Sequence, residues 1–598
     1  MKKFRGSALV SGAAAFALTI SGCAAPEELT PTQSATSNTS TSEEAQPALI
    51  TVAWNDLVYD FNGSSTLGNN VANSVVLYMM SSGWSYYNNS PELLLSTDFG
   101  SYELVNEDPL TVQYSINEEV VWSDGVPLDS ADMMLAWAAG FGFGQAEDGT
   151  YLFDHANPRE DLASKVPTVD GKTMTFEYDV QYVDWELQFT YGVSAHGTVM
   201  MAYPEITDPL EAKAKLVEAI QNNDLDWLAP VAEIWNTGYT VTNTPENPLV
   251  SLSSGPYLLE ELVEDQYATL VANPLYTWGP KPAYERVTIR QITDSTAAVQ
   301  AVDNGEIQIA SGQPTADVLQ LVQALANGSY DTGDEAAYEH VDLSFTNGGP
   351  FDPAYWGGDA ETARKVRQAF LLSVPRNEIL DKLIRPLNPN AQVRQSNIFI
   401  PGSPGYDDAV ELNAMYNGTD EENREKAKEI LAEAGVELPI PVEFWYPDGN
   451  VRRGNEFELI KLSADSVGFN VISEAEPDWA WIGVEPHPHD AVIFAWASGS
   501  LAVTGSDQFF GTGKPSNFQG YSNPELDEIL SSLDTELDPA KQLEIKLEID
   551  RIVAEDAVRI SIFQFPGLTW WDNSVDNVSG SIFVPYYFWN FWEWNTAQ

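Results

Sequence analysis

The sequence predicts an α/β fold, and three observations carry that prediction. Between Ser253 and Ala310, extended runs are followed by a capped helix and a further strand. Farther along, apolar residues recur with the spacing of amphipathic helices. Some 550 residues beyond the amino-terminal tract are too many for one core, so two or three domains are expected; 43% hydrophobic and 11% aromatic residues suffice to fill them.

Residues 1–22 place Lys2, Lys3 and Arg5 ahead of an apolar run from Ala8 to Ile20, too short to span a bilayer, and read as a secretion signal. The run ends in Ile20-Ser21-Gly22-Cys23, which resembles the lipobox of bacterial lipoproteins and implies lipidation of Cys23. Cys23 is the only cysteine, so no internal disulfide can form. Residues 23–47 are expected to be a lipidated Cys followed by a tether, because Ala24 to Pro47 is rich in Ser, Thr, Pro and Glu and cannot bury a core. As a flexible coil that tether reaches roughly 25 to 30 Å. The formal charge of −59 becomes three units more negative once the signal is removed, which argues against nucleic acid and anionic lipid headgroups as partners. Solubility explains it without a cation site.

Ile50 to Trp54 reads as a strand and Asn55 to Asn62 as the loop leaving it. Val71 to Tyr78 reads as a helix, Pro109 to Asn117 and Val120 to Trp122 as strands. Ser123-Asp124-Gly125 makes a turn; Asp129 is placed to cap the following helix, and Asp132 to reach back to the cap. That spacing is structural and needs no acid–base chemistry. Asp148 to Asn247 has no usable motif, and His155 and His196 stand alone in it. Ser254-Gly255-Pro256-Tyr257 turns into a strand from Leu258; Tyr267 to Ala272 and Arg286 to Ile292 are two more. Asp294 caps a helix from Ser295 to Asn304, Gly305 ends it, and Glu306 to Ala310 closes the unit as a strand.

In order, Ser253-Ser254-Gly255-Pro256-Tyr257, Asn273-Pro274-Leu275-Tyr276-Thr277-Trp278 and Gly305-Glu306-Ile307-Gln308-Ile309-Ala310 resemble motifs of the family 5 solute-binding proteins of ABC importers. These are receptors for peptides, nickel and oligosaccharides. Trp122-Ser123-Asp124-Gly125-Val126-Pro127, running on to Asp132, is similar to a further motif of the same receptors. Ser253-Ser254 stands for the family's Gly-Thr, and Gln308 for its Asp. The resemblance implies a two-lobed periplasmic-binding-protein-like clamshell with an extra small domain inserted in the first lobe. The first lobe is expected over 48–310, its insertion at about 95–245, the second lobe over 311–563, and a return to the first lobe over 564–598.

Later segments continue the resemblance. Ala363, Val366, Phe370 and Ser373 share a helix face that includes Val366-Arg367-Gln368-Ala369, although Pro375-Arg376 stands for the family's Asp-Arg. Ala427, Ile430, Leu431 and Ala434 form another stripe ahead of Gly435. Asn523 and Pro524 open a helix with Leu526, Ile529, Leu530 and Leu533 inward. The aromatic tail from Tyr586 to Trp594 is expected as a core strand of the first lobe, beside the amino-terminal strand.

For ligand binding, the resemblance points to Ala495, Trp496, Ala497 and Ser498, a cleft-edge strand whose backbone would bond an extended peptide. Gly499 stands where peptide receptors of the family place an amine-binding Asp, leaving Asp507 or Asp490 to supply the charge. Asn55 in the loop after the first strand, Ser254 and Tyr257 in the turn, and Arg453, which with Arg452 is a candidate for a carboxylate, complete the set. No nucleophile elbow or phosphate loop occurs, and His487-Pro488-His489-Asp490 lacks a third soft ligand, so no catalytic residue, metal or cofactor is expected. The expected protein is a monomeric, lipid-anchored receptor on the extracellular face of the cytoplasmic membrane. It would pass a peptide or other small solute to an ABC permease. An oligosaccharide receptor using Trp479, Trp481 and Trp496 is the alternative, and a secreted hydrolase a distant one.

Overall fold

The computed structural model describes residues 48–597 apart from 90–91, 146–149, 160–161, 163–164, 189–191, 313, 477–483, 485–486 and 498–501. Cys23, the tether, Trp479, Trp481, Ser498 and Gly499 lie outside the described residues.

A ten-stranded sheet organises the body. In chain order its strands are β1 (Leu49–Trp54), β2 (Tyr257–Val263), β3 (Tyr267–Ala272), β4 (Arg286–Gln291), β5 (Ile309–Ser311), β6 (Gly328–Leu343), β7 (Ile440–Pro447), β8 (Phe469–Glu476), β9 (Ala491–Ala497) and β10 (Arg559–Asp572). Across the sheet they run β8-β7-β9-β6-β10-β5-β1-β4-β3-β2. β1 lies parallel between β4 and β5, with Ile50 opposite Val287 and Val52 opposite Ile309. At the other end β7 is parallel to β8 and β9. Parallel neighbours need a crossover, and helices Ser295–Asp303 and Val451–Val467 supply the two within β4–β5 and β7–β8.

β6 and β10 join the lobes. They pair antiparallel from Gly328 opposite Asp572 to Asp342 opposite Arg559, with register shifts between Asp334 and Tyr338 and between Glu339 and His340. Before the first shift β10 also pairs with β5; beyond it β6 pairs with β9. The crossover therefore falls where Gly333 faces Gly567 and Asp334 faces Pro566. Glycine and proline at that point leave the ladder thin.

The first lobe closes around Val52, Ile289, Leu270, Trp122 and Met134, and the second around Val341, Phe370, Phe444, Ile460 and Ile562. Val318 and Val322 of helix Ala316–Gln323 cluster with Ala53 and Trp570, although the sequence places 311–563 in the second lobe. Between β1 and β2 a separate four-stranded sheet forms from Gly100–Glu107, Leu110–Ile116, Thr173–Glu177 and Thr168–Asp170. Helices Ala195–Ala202, Pro209–Gln221 and Leu225–Thr237 follow it.

The predicted caps at Asp129, Asp294 and Asn523 are present, Asp129 as a full capping box with Asp132. Three expectations are corrected. Residues 120–122 make only an isolated antiparallel bridge, Val121 with Pro127, because the turn at 123–125 brings the chain straight back and the Trp122 amide donates to Val126 O. β5 begins only at Ile309, because the Glu306 and Ile307 amides donate back to Ala301 O as the helix ends at Gly305, φ 73°. The aromatic tail is a 3-10 helix, Tyr586–Asn590, not a strand: Tyr586 has φ 58°, which no strand residue adopts. It is nonetheless core, and the Tyr587 hydroxyl donates to Ala53 O of β1 at 2.8 Å. His196 is not isolated either, since its buried ring lies 2.9 Å from Asp124 Oδ2.

Candidate ligand cleft

β9 is held on one side by β6, where Ala495, Trp496 and Ala497 face Glu339, Tyr338 and Ala337. On its other side β7 pairs only with Ala491 and Val492. Among the described residues no strand covers the outer edge of Ala495–Ala497. That edge is half-buried, and an extended chain can add to it. The Trp496 ring lies 5.6 Å from Phe518 and 4.5 Å from Phe509, and its indole N–H is buried without a partner.

The crossover holds a buried acid. Glu335, one residue past Asp334 on β6, has its carboxyl pushed up to about 8 by burial, with the Arg452 guanidinium working the other way. Burial and then the charge of Glu335 push the Tyr586 phenol far up, which places hinge strand and tail side by side. Tyr586 stacks on Trp54 at 5.6 Å, and Asn55 follows at the surface. The end of β1, the hinge and the carboxy-terminal tail thus meet at one place.

A clasp joins the two lobes. The Asp184 carboxylate accepts from Val503 N, Thr504 N and Thr504 Oγ1 at 2.9, 2.9 and 2.8 Å. Arg159 Nη2 lies 2.7 Å from Asp534 Oδ2, both side chains almost fully buried, and Val183 N donates to Asp534 O. Behind the clasp is a cavity of about 200 Å³ with Asn62, Ser64, His155, Asn157, Arg159 and Gln188 in its wall. Burial pushes the His155 imidazole down to about 4; its Nδ1 accepts from Asn157 N, and its ring stacks on Trp235 at 6.1 Å. Asn157 Oδ1 is buried without a partner. A neutral imidazole, three amides and a hydroxyl suit a polar solute.

The sequence-predicted residues fall in several places. Ala495, Trp496 and Ala497 form the open edge, and Ser498 lies outside the described residues. Ser254 and Tyr257 sit within the first lobe: Ser254 Oγ accepts from Ser82 N at 3.1 Å, and the Tyr257 hydroxyl donates to Tyr284 O at 2.8 Å. Arg453 is buried. Its Nε donates to Glu339 at 3.1 Å, beside Arg452 Nη2 at 2.7 Å from the same carboxylate. Asp507 opens a short helix and lies 3.2 Å from Lys514 Nζ. Asp490 accepts from Glu443 N and from Asn347 Nδ2 at 2.8 and 2.9 Å. Sequence reasoning missed Arg159, Asp184 and Glu335. No local motif marks them, and the clasp partners stand more than 300 residues apart.

The family model of "Bacterial extracellular solute-binding proteins, family 5 Middle" matches residues 79–517. An uncharacterized lipoprotein of Mycobacterium tuberculosis is 24% identical over 525 residues, covering 84% of this chain and 85% of that protein. The oligopeptide-binding protein OppA of the same organism is 23% identical over 490 residues, 78% of this chain and 71% of its own. Among solved structures, the periplasmic EDTA-binding protein EppA superposes with a TM-score of 0.75 at 23% identity, covering 92% of this chain and 97% of its own. The oligopeptide-binding protein AppA of Bacillus subtilis, in complex with a nonapeptide, gives 0.70 at 17% identity and covers 92% and 100%.

Proposed function

Because the chain belongs to the family 5 bacterial extracellular solute-binding proteins, we propose that it is a receptor that takes an oligopeptide-like solute between its lobes and hands it to an ABC permease. The observation that carries this reading is the uncovered outer edge of Ala495–Ala497, set beside an aromatic wall. Backbone groups along such an edge bond any extended peptide regardless of side chains, which suits a receptor for varied cargo. Asn55 and Asp507 flank the cleft in this reading, and Ser254, Tyr257 and Arg453 hold its walls in place. Cys23 anchors a monomer by lipid to the outer face of the cytoplasmic membrane, and the cargo leaves chemically unchanged.

Closure is a population shift. A solute that touches both lobes stabilises the closed state by the contacts it makes only there, and the clasp of Asp184, Arg159 and Asp534 adds to the same state. Calorimetry against a peptide library and a panel of oligosaccharides tests the reading. Micromolar or tighter binding of peptides, lost when Trp496 becomes Ala, is the expected result. Binding of oligosaccharides alone replaces the peptide with a sugar, and hydrolysis of either ligand overturns the receptor reading.

A further inference from the structure

One cavity in the first lobe lies away from the cleft between the lobes. It holds about 610 Å³, with Tyr86, Phe99, Tyr276, Trp278, Phe583 and Trp592 among its lining residues and nothing from the second-lobe strands or helices. That volume falls within the range of small-molecule sites.

Its chemistry is unusual for this chain. Tyr86 and Trp592 meet edge to face in its wall at 5.3 Å and 85°. The indole N–H groups of Trp84, Trp278 and Trp589 already donate to Ser115 O, Ser254 O and Ser579 O. Those three rings are almost fully buried, and the π-surface open to the cavity comes from the half-buried Tyr86, Tyr87 and Trp592. No Lys, Arg or His lines the cavity, whereas the carboxylates of Asp98 and Glu186 do. Burial, and beyond it the charge of Asp98, push the Tyr276 phenol up to about 12, so that carboxylate acts on the cavity wall.

We propose that this first-lobe cavity is a second binding site, for an organic cation whose positive nitrogen carries apolar substituents. Aromatic faces attract such a cation through their quadrupoles, and desolvation strengthens the contact. The carboxylates of Asp98 and Glu186 draw it in and balance its charge. Apolar substituents fill the remaining volume and release water. The site is independent of the solute reading of the cleft.

The test is titration of the whole protein with choline and with its uncharged carbon isostere, 3,3-dimethyl-1-butanol, read by calorimetry and tryptophan fluorescence. Choline is expected to saturate one site, with the isostere about tenfold weaker or more. Trp592→Ala and Asp98→Asn should each weaken choline severalfold; Asp98 is exposed, so its variant keeps the fold. Trp496→Ala, in the cleft, should leave choline binding unchanged. Equal affinity for both probes, no saturation by choline at millimolar concentration, no effect of either first-lobe variant, or loss of choline binding in Trp496→Ala would overturn the assignment.

Discussion

At the scale of single residues, the strongest constraints are buried charges. Glu339 is fully buried and bonds both Arg452 and Arg453, and the two guanidiniums hold its carboxyl below the usual range despite burial. Glu339→Ala leaves those guanidiniums in the core with a partner missing, so a loss of about 3 to 5 kcal/mol is expected in urea unfolding. His155 gives a pH signature. Its imidazole is held near 4 in the folded protein against 6.5 when free, so the unfolded chain binds more protons between those values. The contribution of neutral His155 is complete above pH 6.5 and declines as pH falls toward 4, by at most about 1.4 kcal/mol per unit. His155→Gln should flatten that part of the stability–pH curve.

Single residues also mark where sequence reading stops. Arg453 was legible as a cation for a carboxylate, and the structure supplies the carboxylate from Glu339, 114 residues earlier in the chain. Glu335 carried no signal, because only the sheet crossover gives a lone glutamate its surroundings.

At the scale of elements, local rules were read well because they are local. An Asp or Asn before an apolar stripe, or a Gly behind one, acts within a single turn, and the caps at Asp129, Asp294 and Asn523 all form. The Asp294 carboxylate accepts from Ala297 N at 2.7 Å at the surface. Asp294→Ala should therefore cost about 1 kcal/mol, seen as a lower unfolding midpoint with no change in ligand affinity. The tail was misread as a strand since its aromatic density says buried but not extended. The left-handed Tyr586 after Pro585 settles the local form, and neither residue type announces it.

At the scale of the whole molecule, the two-lobed fold was legible through family motifs strung along the chain, whereas the pairing of β6 with β10 spans more than 200 residues and leaves no periodic trace. The clasp is of the same kind. Arg159→Ala and Asp184→Asn remove contacts that join the two lobes. Small-angle scattering of each ligand-free variant should show a larger radius of gyration than the parent, and solute affinity should fall together with it. Unchanged dimensions in both variants would mean that the clasp does not bias closure.

The paired glycines at the crossover have a consequence of their own. A β-carbon at Gly333 would meet nothing within 4 Å, whereas one at Gly567 would come within 3.1 Å of the Glu335 side chain. The neck of the molecule is therefore asymmetric, with slack on one ribbon and a tight fit on the other. A side chain added at Gly333 meets no obstacle and would stiffen the slack ribbon, and so retune how readily the jaws part.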